Sequence, residues 1–307
     1  MTQTFTTTRA AKPDTLLAPD FMRQLDRLDV LSRKILQGKM QGERRSKKRG
    51  QSVEFADYRS YVAGDDLRFI DWNLYARLDR LFLRLFMEEE DLSVSVLFDV
   101  SKSMDWGDPR KLDYAKRVAA ALGYIGLVNY NRVHLYSFSD EIVDQLPNLR
   151  GRRPIPQMLE FIGQQIGHGA GNLVHACKRF ALLQRAKGVV VILSDLFDKG
   201  DFASALRALG GERFDVYVIQ LLAPQEIDPT SGGILGDLRL RDVEDHNIAE
   251  VSVSPALIKR YKANLQAYCK HLREQCVRRG ATYMVGDTSV PFDTLVLKYL
   301  RERGLLG

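Results

Sequence analysis

The sequence predicts an α/β fold, a mainly parallel sheet with helices on both faces. Three observations predict it. Leu92 to Phe98 and Val189 to Leu193 are apolar runs of strand length, the pattern of strands buried on both faces. Around them the apolar spacing alternates between strand and helix periods, as in a parallel sheet covered by helices. The length of 307 residues also allows one sizeable core, because a chain of this size buries roughly three-quarters of its unfolded surface.

Taken in order, residues 1–19 are expected to be disordered. Phe21, Leu25, Leu28, Leu31 and Ile35 recur at helical spacing, with Gly38 as a stop. The basic run Arg44-Arg45-Ser46-Lys47-Lys48-Arg49 follows, bounded by glycines. It has no interleaved aromatics to stack bases. It reads as a solvated loop tip, or else as a phosphate or acidic-partner contact through Arg44, Arg45, Lys47 and Lys48. The block from Gly64 to Arg77 sets Asp65, Asp66 and Asp71 beside Arg68, Arg77 and Trp72. Acids matched by arginines predict a salt-bridged turn that locks this segment onto the core, rather than a catalytic cluster. Residues 80–90 are expected to run into the first core strand, with Glu88, Glu89 and Glu90 solvated.

Asp108-Pro109 signals a helix start, an acidic N-cap followed by proline at the first helical position. Leu112, Ala115, Val118, Leu122 and Ile125 form that helix's buried stripe. A strand from Val133 to Phe138 and a weaker one near Ile142 to Leu146 come next. Helices are expected near 155–165, 172–185 and 202–209, with a strand from Val216 to Leu222. Residues 224–254 break the rhythm. Their prolines and glycines mark a loop, and Leu238 to Val243 with Val251 to Val253 reads as a hairpin insertion. Ser254-Pro255 opens a long helix closed by Gly280, followed by a strand from Thr282 to Val285 and a helix from Phe292 to Arg301. The organisation is thus a disordered 1–19, an N-terminal helix and charged block over 20–90, and the α/β domain over 91–307.

The chemistry-bearing motif is Asp99-Val100-Ser101-Lys102-Ser103-Met104, at the end of the first apolar run. An aspartate with hydroxyls at i+2 and i+4 puts three oxygens on one side of an extended or turning chain. Mg²⁺ or Mn²⁺ takes oxygen ligands, about six for Mg²⁺. One carboxylate and two hydroxyls leave such an ion short of charge, so the site is suited to accept a carboxylate from elsewhere. The second apolar run also ends in a hydroxyl and an acid, Ser194-Asp195. Ligands of open α/β sheets collect at the carboxyl ends of the strands, where both acids fall.

This motif resembles a von Willebrand factor type A domain with a metal-ion-dependent adhesion site, a Rossmann-like architecture. The upstream segments Ser52-Val53-Glu54-Phe55, Tyr58-Arg59-Ser60-Tyr61, Gly64-Asp65-Asp66-Leu67-Arg68 and Ile70-Asp71-Trp72-Asn73 closely resemble domain-of-unknown-function family fifty-eight. The resemblance covers roughly residues 40–303. It implies a bacterial or archaeal cytoplasmic protein that works beside a MoxR-type AAA+ ATPase in assembling or remodelling a client. It also implies Asp99, Ser101, Ser103 and Asp195 as metal ligands. The family's threonine ligand falls on Gly171 of Gly169-Ala170-Gly171-Asn172-Leu173, so one hydroxyl is missing.

Composition excludes several other classes. Net charge is +6, mild enough to suit an acidic client without demanding nucleic acid. No nucleic-acid-binding signature accompanies the basic run. Cys177, Cys269 and Cys276 form no paired motif, so free thiols in a reducing compartment are expected. No stretch approaches the roughly 18 apolar residues of a membrane span. A phosphoryl-transfer enzyme of the haloacid-dehalogenase type wants a second acid two residues after the nucleophile, where Ser101 stands. Lys102 is the basic residue placed to meet an anionic group there. A non-catalytic, protein-binding adaptor is the expectation.

Overall fold

The computed structural model describes residues 16–31, 54–62, 65–87, 92–211, 213–232, 236–241 and 248–307. They form two compact units, one drawn from residues 1–37 and 92–307, the other from 38–91. The N-terminal helix therefore belongs with the sheet and not with the charged block.

The larger unit opens with α1 (Pro19–Leu25). It is shorter than the apolar spacing suggested. Leu16 and Leu17, expected in a disordered tail, are buried in the core. Leu28 and Val30 reach the core from a non-helical segment, Val30 bridging to Leu306. Helical spacing was thus met by a short helix and an extended segment packed on the same surface.

The smaller unit contains β1 (Glu54–Ser60), α2 (Trp72–Leu78) and β2 (Phe82–Met87). β1 and β2 pair antiparallel, so residues 82–87, expected only as the run into the first core strand, form a strand of a separate two-stranded sheet. The expected salt-bridged turn is present within this unit. Arg59 pairs with Asp65 at 2.8 Å and Arg68 with Asp66 at 2.6 Å. Asp71 caps α2 through the Asn73 and Leu74 amides and accepts from the Tyr58 hydroxyl. Glu88, Glu89 and Glu90 lie outside the described residues.

The core sheet comprises β3 (Ser93–Asp99), β4 (Arg132–Phe138), β5 (Ile142–Leu149), β6 (Gly188–Ser194), β7 (Phe214–Leu222) and a last strand, Thr282–Asp287. Between them run α3 (Lys111–Val128), α4 (Ile155–Gln164), α5 (Leu173–Leu183), α6 (Phe202–Ala208) and α7 (Pro224–Ile227). A hairpin of β8 (Gly236–Arg241) and β9 (Ile248–Val253) precedes α8 (Pro255–Val277) and the last strand, now β10. Phe292–Thr294, a π-helical turn Leu295–Tyr299 and Leu300–Glu302 close the chain's helical content. The sheet order is β10-β7-β6-β3-β4-β5, parallel except for β5. The fold class is therefore the α/β one the apolar runs predict.

The strands alternate between two apolar layers, as side chains on a pleated sheet must. Val94, Val96 and Phe98 face one layer with α1, α3 and α4. Leu97 and Tyr136 face the other with α5, α6 and α8. α3 carries the predicted stripe but begins at Lys111, after Asp108-Pro109, with Arg110 as its N-cap residue. That shift of two residues places Lys111, and not Pro109, at the helix's entrance.

Candidate functional site at the carboxyl edge

The chain leaves β3 on one side towards β4 and returns on the other side as β6. The carboxyl ends of β3 and β6 therefore flank a point where strand order reverses, the crevice that open α/β sheets use for ligands. Register does the rest. Phe98 lies opposite Leu193, so Asp99 meets Ser194. The Ser194 hydroxyl donates to Asp99 Oδ2 at 2.6 Å, and the Ser101 amide donates to Oδ1 at 2.8 Å. Ser101 and Ser103 share a hydroxyl–hydroxyl hydrogen bond of 3.0 Å.

The loop before α5 closes over this turn. His168 N donates to Val100 O, Lys102 N to Gly169 O, and Asn172 N to Ser139 O. That path puts Gly171 over Ser101: a side chain built there would have its Cβ 3.7 Å from Ser101 Oγ and 3.5 Å from Asp198 Cβ. Asn172 caps α5 through the His175 amide, and Asp198 Oδ2 accepts from the Leu173 amide. Lys102 is exposed beside the site.

Asp195 lies on the turn after β6. Leu196 has a left-handed backbone, φ 59°, its amide held by Ser194 Oγ and its carbonyl by the Tyr268 hydroxyl. The turn carries Asp195 to Lys111, whose Nζ donates to Asp195 Oδ2 at 2.7 Å and to Glu226 Oε1 at 2.5 Å. The side chains of Lys111 and Asp195 are 1% and 2% exposed. Burial works against the Lys111 charge, but Asp195 and Glu226 outweigh it and raise its pKa, so it stays an ammonium. Burial, with the Asp195 charge adding, pushes the Asp99 carboxyl up to about 7.

Two aromatic rings lie close to the ammonium. Trp106 lies 6.0 Å and Phe197 5.7 Å from Lys111 Nζ, centroid to nitrogen. Both are exposed, 42% and 40%. Phe197 in turn stacks on Tyr268.

The structure thus gathers Asp99, Ser101, Ser103 and Asp195 at one edge, with Gly171 facing the gap. Motif reasoning missed Lys111, Glu226, Trp106 and Phe197. Lys111 was hidden as an ordinary helix lysine; its one signal was its place in the first turn after the motif. Arg44, Arg45, Lys47 and Lys48 lie outside the described residues. As a divalent-cation site the donor set fits poorly. Gly171 brings no hydroxyl, and Asp195 is already paired with an ammonium. Among the described residues no group of three or more His, Cys, Asp or Glu is placed to hold a metal ion.

The family described as "Protein of unknown function DUF58" matches residues 57–271. An uncharacterized protein of Mycobacterium bovis is 28% identical over 244 residues, covering 78% of this chain and 76% of that one. Among solved structures, BatB from Bacteroides thetaiotaomicron is similar at 15% identity and a TM-score of 0.43, covering 69% of this chain and 98% of that chain. The SpRpn10 VWA domain is similar at 11% identity and a TM-score of 0.38, covering 67% and 93%.

Proposed function

We propose that this chain, which belongs to the DUF58 family, is a protein-docking module that engages its partner at the carboxyl edge of the six-stranded sheet. The observation that carries this reading is the pair Trp106 and Phe197, both exposed and both close to a buried ion-paired cluster. Large aromatics over a rigid polar floor are the residue type that dominates binding energy at protein interfaces. Here the floor is held by three separate elements, the α3 entrance, the β6 turn and α7, so the rings have a fixed base.

The partner on this reading is a MoxR-type AAA+ ATPase, as the family resemblance of the upstream segments implies, and the pair acts on a client protein in the cytoplasm. Three free cysteines, two of them buried, suit a reducing compartment. Among the described residues no helix is long and apolar enough to cross a membrane. We read the edge as binding rather than catalytic. Asp99 is 3% exposed with both oxygens occupied, and the serine hydroxyls bond each other instead of a base.

Affinity of the full chain for the cognate ATPase tests the reading. Trp106→Ala and Phe197→Ala should each cost about 2 kcal/mol, close to thirtyfold, if they are interface anchors. Equal affinity for wild type and both variants would remove this edge as the docking surface.

A further inference from the structure

A divalent cation at this edge would need a place to put two positive charges, and a buried ammonium already stands there. The Lys111 ammonium stands 2.7 Å from Asp195 Oδ2 and 2.5 Å from Glu226 Oε1. It is rooted in the first turn of α3 and is 1% exposed, with the Trp106 and Phe197 ring centroids 6.0 and 5.7 Å from Nζ. An ion liganded by Asp195 would sit within one ligand shell of that ammonium, and like charges at such a distance repel strongly in a buried setting. The other oxygens are held in place within the protein: Asp99 accepts from Ser194 Oγ and the Ser101 amide, and Ser101 and Ser103 share one hydrogen bond.

We propose that Lys111 is the built-in counter-cation of this edge. Its ammonium takes the charge role that a divalent ion takes in an adhesion site, so docking here is independent of metal. The proposal rests on the docking reading above for what the edge does, and on the Lys111 geometry for how its charge is balanced. It also explains how Gly171 is tolerated at the threonine position, since no ion needs that hydroxyl. Space is not what forbids a side chain there: a Cβ at Gly171 would make only ordinary contacts, the nearest at 3.5 Å.

Mn²⁺ binding to the full chain, followed by electron paramagnetic resonance and calorimetry, separates charge from missing hydroxyl. Four proteins are compared: wild type, Gly171→Thr, Lys111→Met and the double variant. Wild type and Gly171→Thr should bind no stoichiometric Mn²⁺ at millimolar free ion. The double variant, with Asp195 released and the hydroxyl restored, should bind one Mn²⁺ at least about tenfold tighter than wild type. One tightly bound Mn²⁺ in wild type or Gly171→Thr, lost on adding Asp99→Ala, would overturn the proposal. Those two proteins keep the lysine, so they decide the matter even if Lys111→Met fails to fold. Capture of the ATPase by wild type should ignore EDTA, and release by EDTA would count against the proposal. If Mn²⁺ binds while capture still needs Trp106 and Phe197, the counter-cation idea alone fails. If Mn²⁺ is refused and capture ignores both rings, the docking reading alone fails.

Discussion

Lys111 and Asp195 are 84 residues apart in the chain and 2.7 Å apart in the fold, each almost wholly out of water. A buried pair of this kind is costly to break from one side, because the surviving charge is left without a partner. Lys111→Met, which strips two buried carboxylates of their cation, should lower stability by about 3–5 kcal/mol at pH 7, and Asp195→Asn by less, because Glu226 still pairs with Lys111. The double variant should cost clearly less than the sum, since residues in one network couple. Urea unfolding of the three variants measures this. Additive losses would mean that the two groups do not share one interaction.

The Asp99 carboxyl gives the fold a pH signature. Its folded pKa of about 7 lies above the ordinary value of 3.8, mainly through burial and secondarily through the Asp195 charge. The folded state therefore holds the proton more tightly than the unfolded chain does. That contribution is fully present below about pH 4 and is lost as pH rises through about 7. Asp99→Asn, which stays neutral, should gain melting temperature relative to wild type as pH is raised from 5 to 8. A difference that is flat across that range would contradict the raised pKa.

The sheet was legible because its strands are continuous apolar runs, and β3 and β6 could be placed end to end from Leu92–Phe98 and Val189–Leu193 alone. Asp99 and Asp195 were legible for the same reason, as the first acids after those runs. Lys111 and Glu226 were not. Their meaning comes from a meeting of α3, β6 and α7 that no local spacing encodes, and a lysine in a helix's first turn ordinarily points to water. The short α1 shows the limit of periodicity: Leu28 keeps helical spacing with Leu25 yet reaches the core from a non-helical segment. Residues 82–87 were read as an approach to the core sheet because an apolar strand carries no label for its partner, which proved to be β1.

His134 should produce a pH slope of the opposite sign. It sits in β4 with Nδ1 accepting from the Asn148 amide, and Nε2 has no hydrogen-bond partner among the described residues. Burial, with the Arg132 charge adding, pushes its pKa down to about 4. The folded state keeps it neutral while the unfolded chain protonates it near 6.5, so its contribution is present above pH 6.5 and lost as pH falls towards 4. His134→Gln should flatten the acid limb of stability between those values. Asp99 pulls the other way over much of that window, so the two must be measured against their own variants. An unchanged acid limb in His134→Gln would show that His134 does not carry it.

Gly188 tests how tightly the site depends on strand spacing. It opens β6 beside β3, and a Cβ there would lie 2.0 Å from the Ser93 carbonyl oxygen, a backbone atom that cannot turn aside. Gly188→Ala must therefore push the two strands apart along the ladder that sets Asp99 opposite Ser194. The expected cost is at least about 3 kcal/mol, the upper end for overpacking a core. Gly211 supplies the control. Its backbone is left-handed, φ +100°, but a Cβ there would meet nothing within 4 Å. Gly211→Ala should thus cost only backbone strain, on the order of 1–2 kcal/mol. Chemical denaturation of both variants compares a steric clash with a conformational penalty. Equal, small losses would mean that β3 and β6 can separate at Gly188 without disturbing the fold, and that the close approach there does not fix the geometry of the carboxyl edge.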